Sequence, residues 1–153
     1  MSLELFYGNF YQEELKEILE LCEMPTDKIH KGLKIILYDG NISIGGCRSI
    51  FSDDGKSALL SSVCIKPEFQ KKGYGSKMLG MVHNLLIKNN VENFYLASVT
   101  TATNFYKKHN YTDVSISDVP KEFVKPMWRT YSEYERNKSQ RRIRSFMKFS
   151  FKS

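Results

Sequence analysis

Apolar residues recur at helical spacing in two stretches of this chain and run together or alternate in several others. Leu15, Ile18, Leu19 and Cys22 fall on one helical face, with Glu13, Glu14, Lys16, Glu17 and Glu20 around the rest. Asn9-Phe10-Tyr11-Gln12 has capping-box spacing, so a first helix is expected from about Phe10 to Glu23. Met24-Pro25-Thr26-Asp27 breaks it, and Thr26 or Asp27 can cap a short second helix. Leu33 to Tyr38 and Ile42 to Phe51 are β-rich runs around Asp39-Gly40-Asn41, a tripeptide that favours positive φ, and they predict a hairpin. The turn Ser52 to Lys56 leads into a third strand, Ser57 to Ile65, which ends at Lys66-Pro67. Met78, Leu79, Val82 and Leu86 mark a helix over Ser76 to Asn90. A strand over Phe94 to Val99, a short helix over Thr101 to Lys108 and a strand over Tyr111 to Ser115 follow. Beyond Pro120 the pattern predicts a helix and a last strand, Phe146 to Phe151, carrying Phe146, Met147, Phe149 and Phe151. The order β-β-β-α-β-α-β implies a mixed sheet with helices packed on it, an α+β fold. With no repeat and no Pro/Gly/Ser-rich linker, residues 1–153 read as a single domain.

Composition changes this picture little, but the distribution of charge sharpens it. The 153 residues are 41% hydrophobic and 13% aromatic, enough to build a core, which excludes a disordered polymer. No apolar run approaches the roughly 20 residues of a membrane span, and no basic and apolar leader opens the sequence. Cys22, Cys47 and Cys64 are odd in number and lack metal-ligand spacing, as expected of reduced thiols in a cytoplasmic protein. The net charge is +6, yet through Trp128 the chain has 15 basic and 15 acidic residues, and residues 129–153 have 8 and 2. The excess is a basic C-terminal segment on a neutral body.

The segment from Val63 to Ser76 carries the chemistry. It reads as a buried strand, a turn and then Gly73-Tyr74-Gly75 at a helix start. Backbone N–H groups in such a turn, aimed out of a helix N-terminus, converge on a phosphate, and the helix dipole adds to the attraction. Gly73 and Gly75 allow close approach of the main chain, and Lys71 and Lys72 bring positive charge. The order Gly75-Ser76-Lys77 does not fit a P-loop, and Gly80 falls two places too late for a dinucleotide fingerprint.

Gln70-Lys71-Lys72-Gly73-Tyr74-Gly75 resembles the Q/R-x-x-G-x-G/A signature of the GCN5-related N-acetyltransferases. Ala102-Thr103-Asn104-Phe105-Tyr106, continuing to Tyr111, resembles the A-x-x-F-Y-x-x-x-G-F segment of the same family, with Asn110 in place of the usual glycine. With the strand order, the two motifs span Leu33 to Ser115, over half the chain. The resemblance implies a mostly antiparallel sheet flanked by helices, acetyl-CoA bound as cosubstrate at the splay between the fourth and fifth strands of that fold, and no metal. It places pantetheine beside Val63, Cys64 and Ile65, and pyrophosphate on the amides of Lys71, Lys72, Gly73, Tyr74, Gly75 and Ser76. Tyr106 matches the tyrosine that protonates the departing thiolate, a task suited to a phenol whose ordinary pKa is about 10. Where many relatives have a cofactor-touching asparagine this chain has Val99, so that Asn104 or Thr101 replaces the contact or it is missing.

A narrower similarity links Leu59 to Val63, Tyr95 to Ala102 and Val119 to Glu122 with the short N-acetylglutamate synthase-like branch. Ser61 stands where that branch often has a strand arginine, which puts glutamate in doubt as acceptor. The implied partner is a small-molecule amine; neither a membrane nor a nucleic acid is expected, and a homodimer stays open. Two other readings compete. One is a nucleic-acid module built on Arg136, Lys138, Arg141, Arg142 and Arg144 with Tyr131, Tyr134 and Phe146; the other is a silent acyl-CoA sensor. Glu68 is expected to be a solvated loop carboxylate and Cys64 an inert strand thiol. His30, His83 and His109 are read as ordinary surface or helix residues, and Met127 and Trp128 as packing. The base that deprotonates the amine is unassigned, with an ordered water near Ser61 or Ser62 as one option.

Overall fold

In a computed structural model describing residues 2–136 and 143–151, the alternating and apolar runs pair into one seven-stranded, mostly antiparallel sheet flanked by helices. The strands are β1 (Leu3–Tyr7), β2 (Leu33–Asp39), β3 (Ile42–Phe51), β4 (Ser57–Ile65), β5 (Asn93–Val99), β6 (Tyr111–Asp113) and β7 (Ile143–Phe149), and the helices are α1 (Gln12–Leu21), α2 (Tyr74–Lys88), α3 (Thr103–Lys108) and α4 (Lys121–Arg136). The strand order is β1-β2-β3-β4-β5-β7-β6. The chain divides into two compact units, Met1–Ile50 with Leu60–Asn90, and Phe51–Leu59 with Val91–Ser153.

The first unit is built on the β2–β3 hairpin. Gly40 supplies the positive φ of its turn, 60°, and Leu33↔Ser49 through Leu37↔Gly45 set the register. β1 adds to the free edge of β2, from Leu3↔Asp39 to Tyr7↔Ile35. Leu3 to Tyr7 alternates too briefly to announce a strand, and its pairing defines it. α1 lays Leu15, Ile18 and Leu19 into a core with Cys22, Ile29, Ile36 and Cys64; each such side chain contributes about 1.5–3 kcal/mol by leaving water. β3 approaches its neighbours closely. A Cβ on Gly45 would overlap the Cys64 carbonyl, and one on Gly46 would overlap the Ile35 carbonyl.

Two local expectations are corrected here. α1 spans Gln12–Leu21 rather than Phe10 to Glu23, because residues 9–11 form a 3-10 turn and Asn9 makes no side-chain cap. Its Oδ1 accepts from Lys34 Nζ at 3.0 Å instead. The second short helix is absent: residues 24–32 form turns. The carbonyls of Lys28, His30 and Lys31, which a helix would use internally, accept from Arg48 and Lys34.

The second unit centres on β7, which pairs antiparallel with β5 (Tyr95↔Lys148, Ala97↔Phe146) and with β6 (Tyr111↔Phe149). β7 begins three residues earlier and ends two earlier than the expected Phe146 to Phe151. Phe149 stands at the centre of an aromatic cluster, with ring centroids 6.0 Å from Phe94, 5.4 Å from Tyr111 and 4.8 Å from Phe151. β6 stops at Asp113, since Ser115 caps a 3-10 turn over Ile116–Asp118 by accepting from Ser117 N–H. Phe123 and Met127 of α4 are buried, Phe123 stacking on Tyr95 at 5.9 Å.

Candidate active site

The loop between β4 and α2 starts with a well-fixed strand end. Lys66 N–H bonds the Ile44 carbonyl at 2.9 Å, Lys66 Nζ reaches Ser43 Oγ at 2.7 Å, and Gln70 Nε2 returns to the Ile65 carbonyl at 2.9 Å. A 3-10 turn over Pro67–Phe69 then brings the chain to Lys71, at φ 64°, and Gly73, at φ 87°. Gly73 is the N-terminal cap of α2, and a Cβ there would meet nothing within 4 Å. The helix ladder opens with Lys77 N–H on the Gly73 carbonyl, so the amides of Tyr74 and Gly75 lie in the first turn, ahead of that ladder, at the helix end. Tyr74 is held by its hydroxyl on Asp39 Oδ2 at 3.0 Å, a bond that raises its pKa, and by an edge contact with Phe69 at 6.1 Å. Lys71, Lys72, Gly73 and Ser76 are exposed and Tyr74 and Gly75 half-buried. A helix N-terminus with a left-handed glycine cap and two lysines beside it is an arrangement suited to an anion.

On β4, Val63 and Ile65 are half-buried and Cys64 is buried. The Cys64 thiol is held well above its ordinary pKa, first by a hydrogen bond with Cys22 and then by burial. Cys47 is pushed up to about 12 by burial. Both stay protonated near neutrality and are poor nucleophiles.

Sequence reasoning missed the charged group beside β4. Arg48 of β3 lies directly opposite Lys34 of β2, and both are buried, with 8% and 1% of their surface exposed. Arg48 Nη1 donates to the carbonyls of Lys28 (2.8 Å) and Lys31 (3.0 Å), Nε to Ser62 Oγ (3.2 Å) and Nη2 to Ser61 Oγ (3.2 Å). Lys34 Nζ donates to the His30 carbonyl at 2.9 Å. Burial, and then the neighbouring guanidinium, lower the Lys34 pKa. Ser62 has φ 55°, a left-handed backbone within β4. The one sequence signal was a pair of cations at matched positions of a predicted hairpin.

Asn104 and Tyr106 belong to the second unit. α3 is tied to β5 by Thr103, whose Oγ1 lies 2.8 Å from Ser98 Oγ and donates to the Val99 carbonyl at 3.2 Å. Tyr106 is buried between Phe105 (5.3 Å) and Tyr111 (5.6 Å), while Asn104 and Thr101 are exposed. Asn110 takes φ 70° in the turn after α3, the conformation that glycine has in the motif. Glu68 is exposed, and His83 is a buried helix residue of α2. Met127 packs in the core, whereas Trp128 is half exposed against Phe146. Lys138, Arg141 and Arg142 of the basic cluster lie outside the described residues. Among the described residues no three His, Cys, Asp or Glu side chains come together as a metal site, and no helix is long and apolar enough to cross a membrane.

The acetyltransferase (GNAT) domain model matches residues 31–113, more than half of the chain. Comparison with curated proteins gives no match. Among solved structures the chain is similar to an acetyltransferase of the GNAT family from Staphylococcus aureus Mu50, with 15% identity, TM-score 0.71 and coverage of 99% of this chain and 100% of that one. It is similar to Tetrahymena GCN5, with 16% identity, TM-score 0.69 and coverage of 97% and 95%. It is also similar to N-acetylglutamate synthase from Neisseria gonorrhoeae complexed with coenzyme A and N-acetyl-glutamate, with 11% identity and TM-score 0.71; all of this chain is covered, but it spans only 36% of that synthase. The family match covers the β4–α2 cradle and the α3 segment together, and the chain belongs to the GNAT acetyltransferase family.

Proposed function

We propose that this chain is an acetyl-CoA-dependent N-acetyltransferase that moves an acetyl group to the amine of a small molecule by direct attack in a ternary complex. Family membership supports acetyl transfer from acetyl-CoA. The observation that carries the reading on the chain's own residues is the left-handed Gly73 at the start of α2, which sets the first-turn amides of Tyr74 and Gly75 at the helix end next to Lys71 and Lys72. Acetyl-CoA supplies an activated thioester when bound. Lys71 to Ser76 hold its pyrophosphate, and the edge of β4 at Val63, Cys64 and Ile65 aligns its pantetheine arm. Tyr106 delivers a proton to the departing sulfur, and Asn104 is the remaining candidate for a cofactor contact. Holding amine and thioester together does much of the rest.

The raised thiol pKa values of Cys47 and Cys64 favour direct transfer over an acyl-enzyme. One similar synthase structure contains coenzyme A with N-acetyl-glutamate, and that supports the small-molecule acceptor in this reading. The reading places one domain in the cytoplasm, where its three thiols stay reduced. The test is release of free thiol from acetyl-CoA across amino acids, polyamines, aminoglycosides and peptide N-termini. Amine-dependent release supports the reading, whereas tight coenzyme A binding with no turnover on any amine replaces it with an acyl-CoA sensor.

A further inference from the structure

We propose that Ser61 and Ser62, backed by Arg48, form the seat for a carboxylate of the acceptor, so that the substrate is an amino acid or another amine carrying a carboxylate. This rests on the N-acetyltransferase reading above. Consecutive side chains on a strand point to opposite faces. The left-handed backbone at Ser62, φ 55°, breaks that alternation, and both hydroxyl oxygens lie 3.2 Å from one guanidinium. Each hydroxyl accepts from Arg48, and a hydroxyl has a single proton to donate. That proton therefore points away from the guanidinium, and among the described residues neither serine has an acceptor for it. Both side chains are half-buried and so within reach of a ligand.

The charge behind them has the matching sign. Arg48 and Lys34 face each other across the β2–β3 register, an arrangement that like charges ordinarily make destabilising. The carbonyls of Lys28, His30 and Lys31 and the side chain of Asn9 accept hydrogen bonds from the two heads. Lys34 bonds only neutral oxygens among the described residues. An anion at the serine pair answers both features: its two oxygens take the two hydroxyl protons, and its charge offsets the paired cations. A planar carboxylate has the right number of acceptors for two adjacent donors, and hydrogen bonds to an ionised group are the stronger kind.

The experiment compares acceptors that differ only in the carboxylate, with the full chain and thiol release as readout. The pairs are L-alanine and ethylamine, L-phenylalanine and 2-phenylethylamine, L-lysine and cadaverine, and L-glutamate and 4-aminobutyrate, the last testing the α-carboxylate alone. The expected result is at least one amino acid used about a hundredfold better in kcat/KM than its decarboxylated partner, as loss of two charge-assisted hydrogen bonds predicts. In the Ser61→Ala/Ser62→Ala double variant that preference narrows by about tenfold or more, through a raised KM for the amino acid with the KM for acetyl-CoA held. Equal use of both members of every pair overturns the carboxylate seat while leaving the N-acetyltransferase reading standing. A double variant that loses kcat at unchanged acceptor KM overturns it too, since the hydroxyls then serve the acetyl group. The wild-type comparison holds whether or not the variant folds, and transfer to no amine at all overturns both readings.

Discussion

Gly73 gives the sharpest perturbation of the cradle, because its two structural roles separate. Its φ of 87° is a conformation that a side chain disfavours, and a Cβ there meets no atom within 4 Å in the free protein. Gly73→Ala therefore carries only the backbone penalty of the left-handed conformation, about 1–2 kcal/mol. If the free variant keeps the left-handed form the penalty appears as lost stability; if it relaxes and must be driven back on binding, the same penalty instead weakens acetyl-CoA binding by roughly 5- to 30-fold, at about 1.4 kcal/mol per tenfold change. A pyrophosphate seated against the main chain adds a clash with the new methyl group. Gly73→Asn tests the two parts, since asparagine tolerates the left-handed region but still brings a side chain. Titration calorimetry with acetyl-CoA and with dephosphorylated pantetheine reads the outcome, and urea unfolding supplies the stability change. The expected pattern is a backbone penalty of about 1–2 kcal/mol for Ala and less for Asn, divided between stability and acetyl-CoA affinity, with the methyl or side-chain clash weakening both variants for acetyl-CoA and neither for pantetheine. Unchanged acetyl-CoA affinity in both variants would refute the assignment of the β4–α2 loop as the phosphate cradle.

Other expectations concern the sheet, the thiols and α3. Gly45→Ala drives a methyl group into the Cys64 carbonyl and Ile65, so urea unfolding should show a loss of about 3 kcal/mol, at the upper end for overpacking; a loss below 0.5 kcal/mol would mean the strands part easily. The thiols of Cys47 and Cys64 have pKa values raised above their unfolded values. The unfolded chain therefore releases protons first, and stability falls as pH rises above about 8.5, by up to about 1.4 kcal/mol per pH unit per thiol. Chemical unfolding between pH 7 and 10 checks the sign, and Cys47→Ala should flatten the slope. Tyr106→Phe keeps the ring stacking on Phe105 and Tyr111; steady-state kinetics should show kcat reduced by about 10²- to 10⁴-fold with acetyl-CoA affinity within twofold, and an unchanged kcat removes the proton-donor role.

The parts of this molecule that follow from local rules could be read from the residues. The β2–β3 hairpin announces itself through Asp39-Gly40-Asn41, β4 matches its expected limits at Ser57 and Ile65, and α2 through its apolar face. The strand-to-helix turn before α2 was legible because glycine favours the left-handed backbone that Gly73 adopts. Structure set by partners distant in sequence was not legible. β1 is a strand because β2 offers an edge. The turns at residues 24–32 stay open because Arg48 and Lys34 take the carbonyls of Lys28, His30 and Lys31, and no window around Pro25 contains that information. The Arg48, Ser61 and Ser62 cluster needs contacts between β3 and β4 and a left-handed backbone at Ser62; neither leaves a periodic trace. Gly45 and Gly46 sit where neighbouring backbones approach closely, a role that only the paired strands reveal.

Transfer of an isotopically labelled acetyl group tests the central claim most directly. Full-length protein incubated with acetyl-CoA labelled in the acetyl carbons and a pool of small amines should yield an acceptor heavier by one labelled acetyl group, detected by mass spectrometry. The yield should equal the free coenzyme A released, and the protein itself should carry no label after the coenzyme is removed. Coenzyme A release without any labelled amine, or label retained on Cys22, Cys47 or Cys64, would contradict direct N-acetyl transfer.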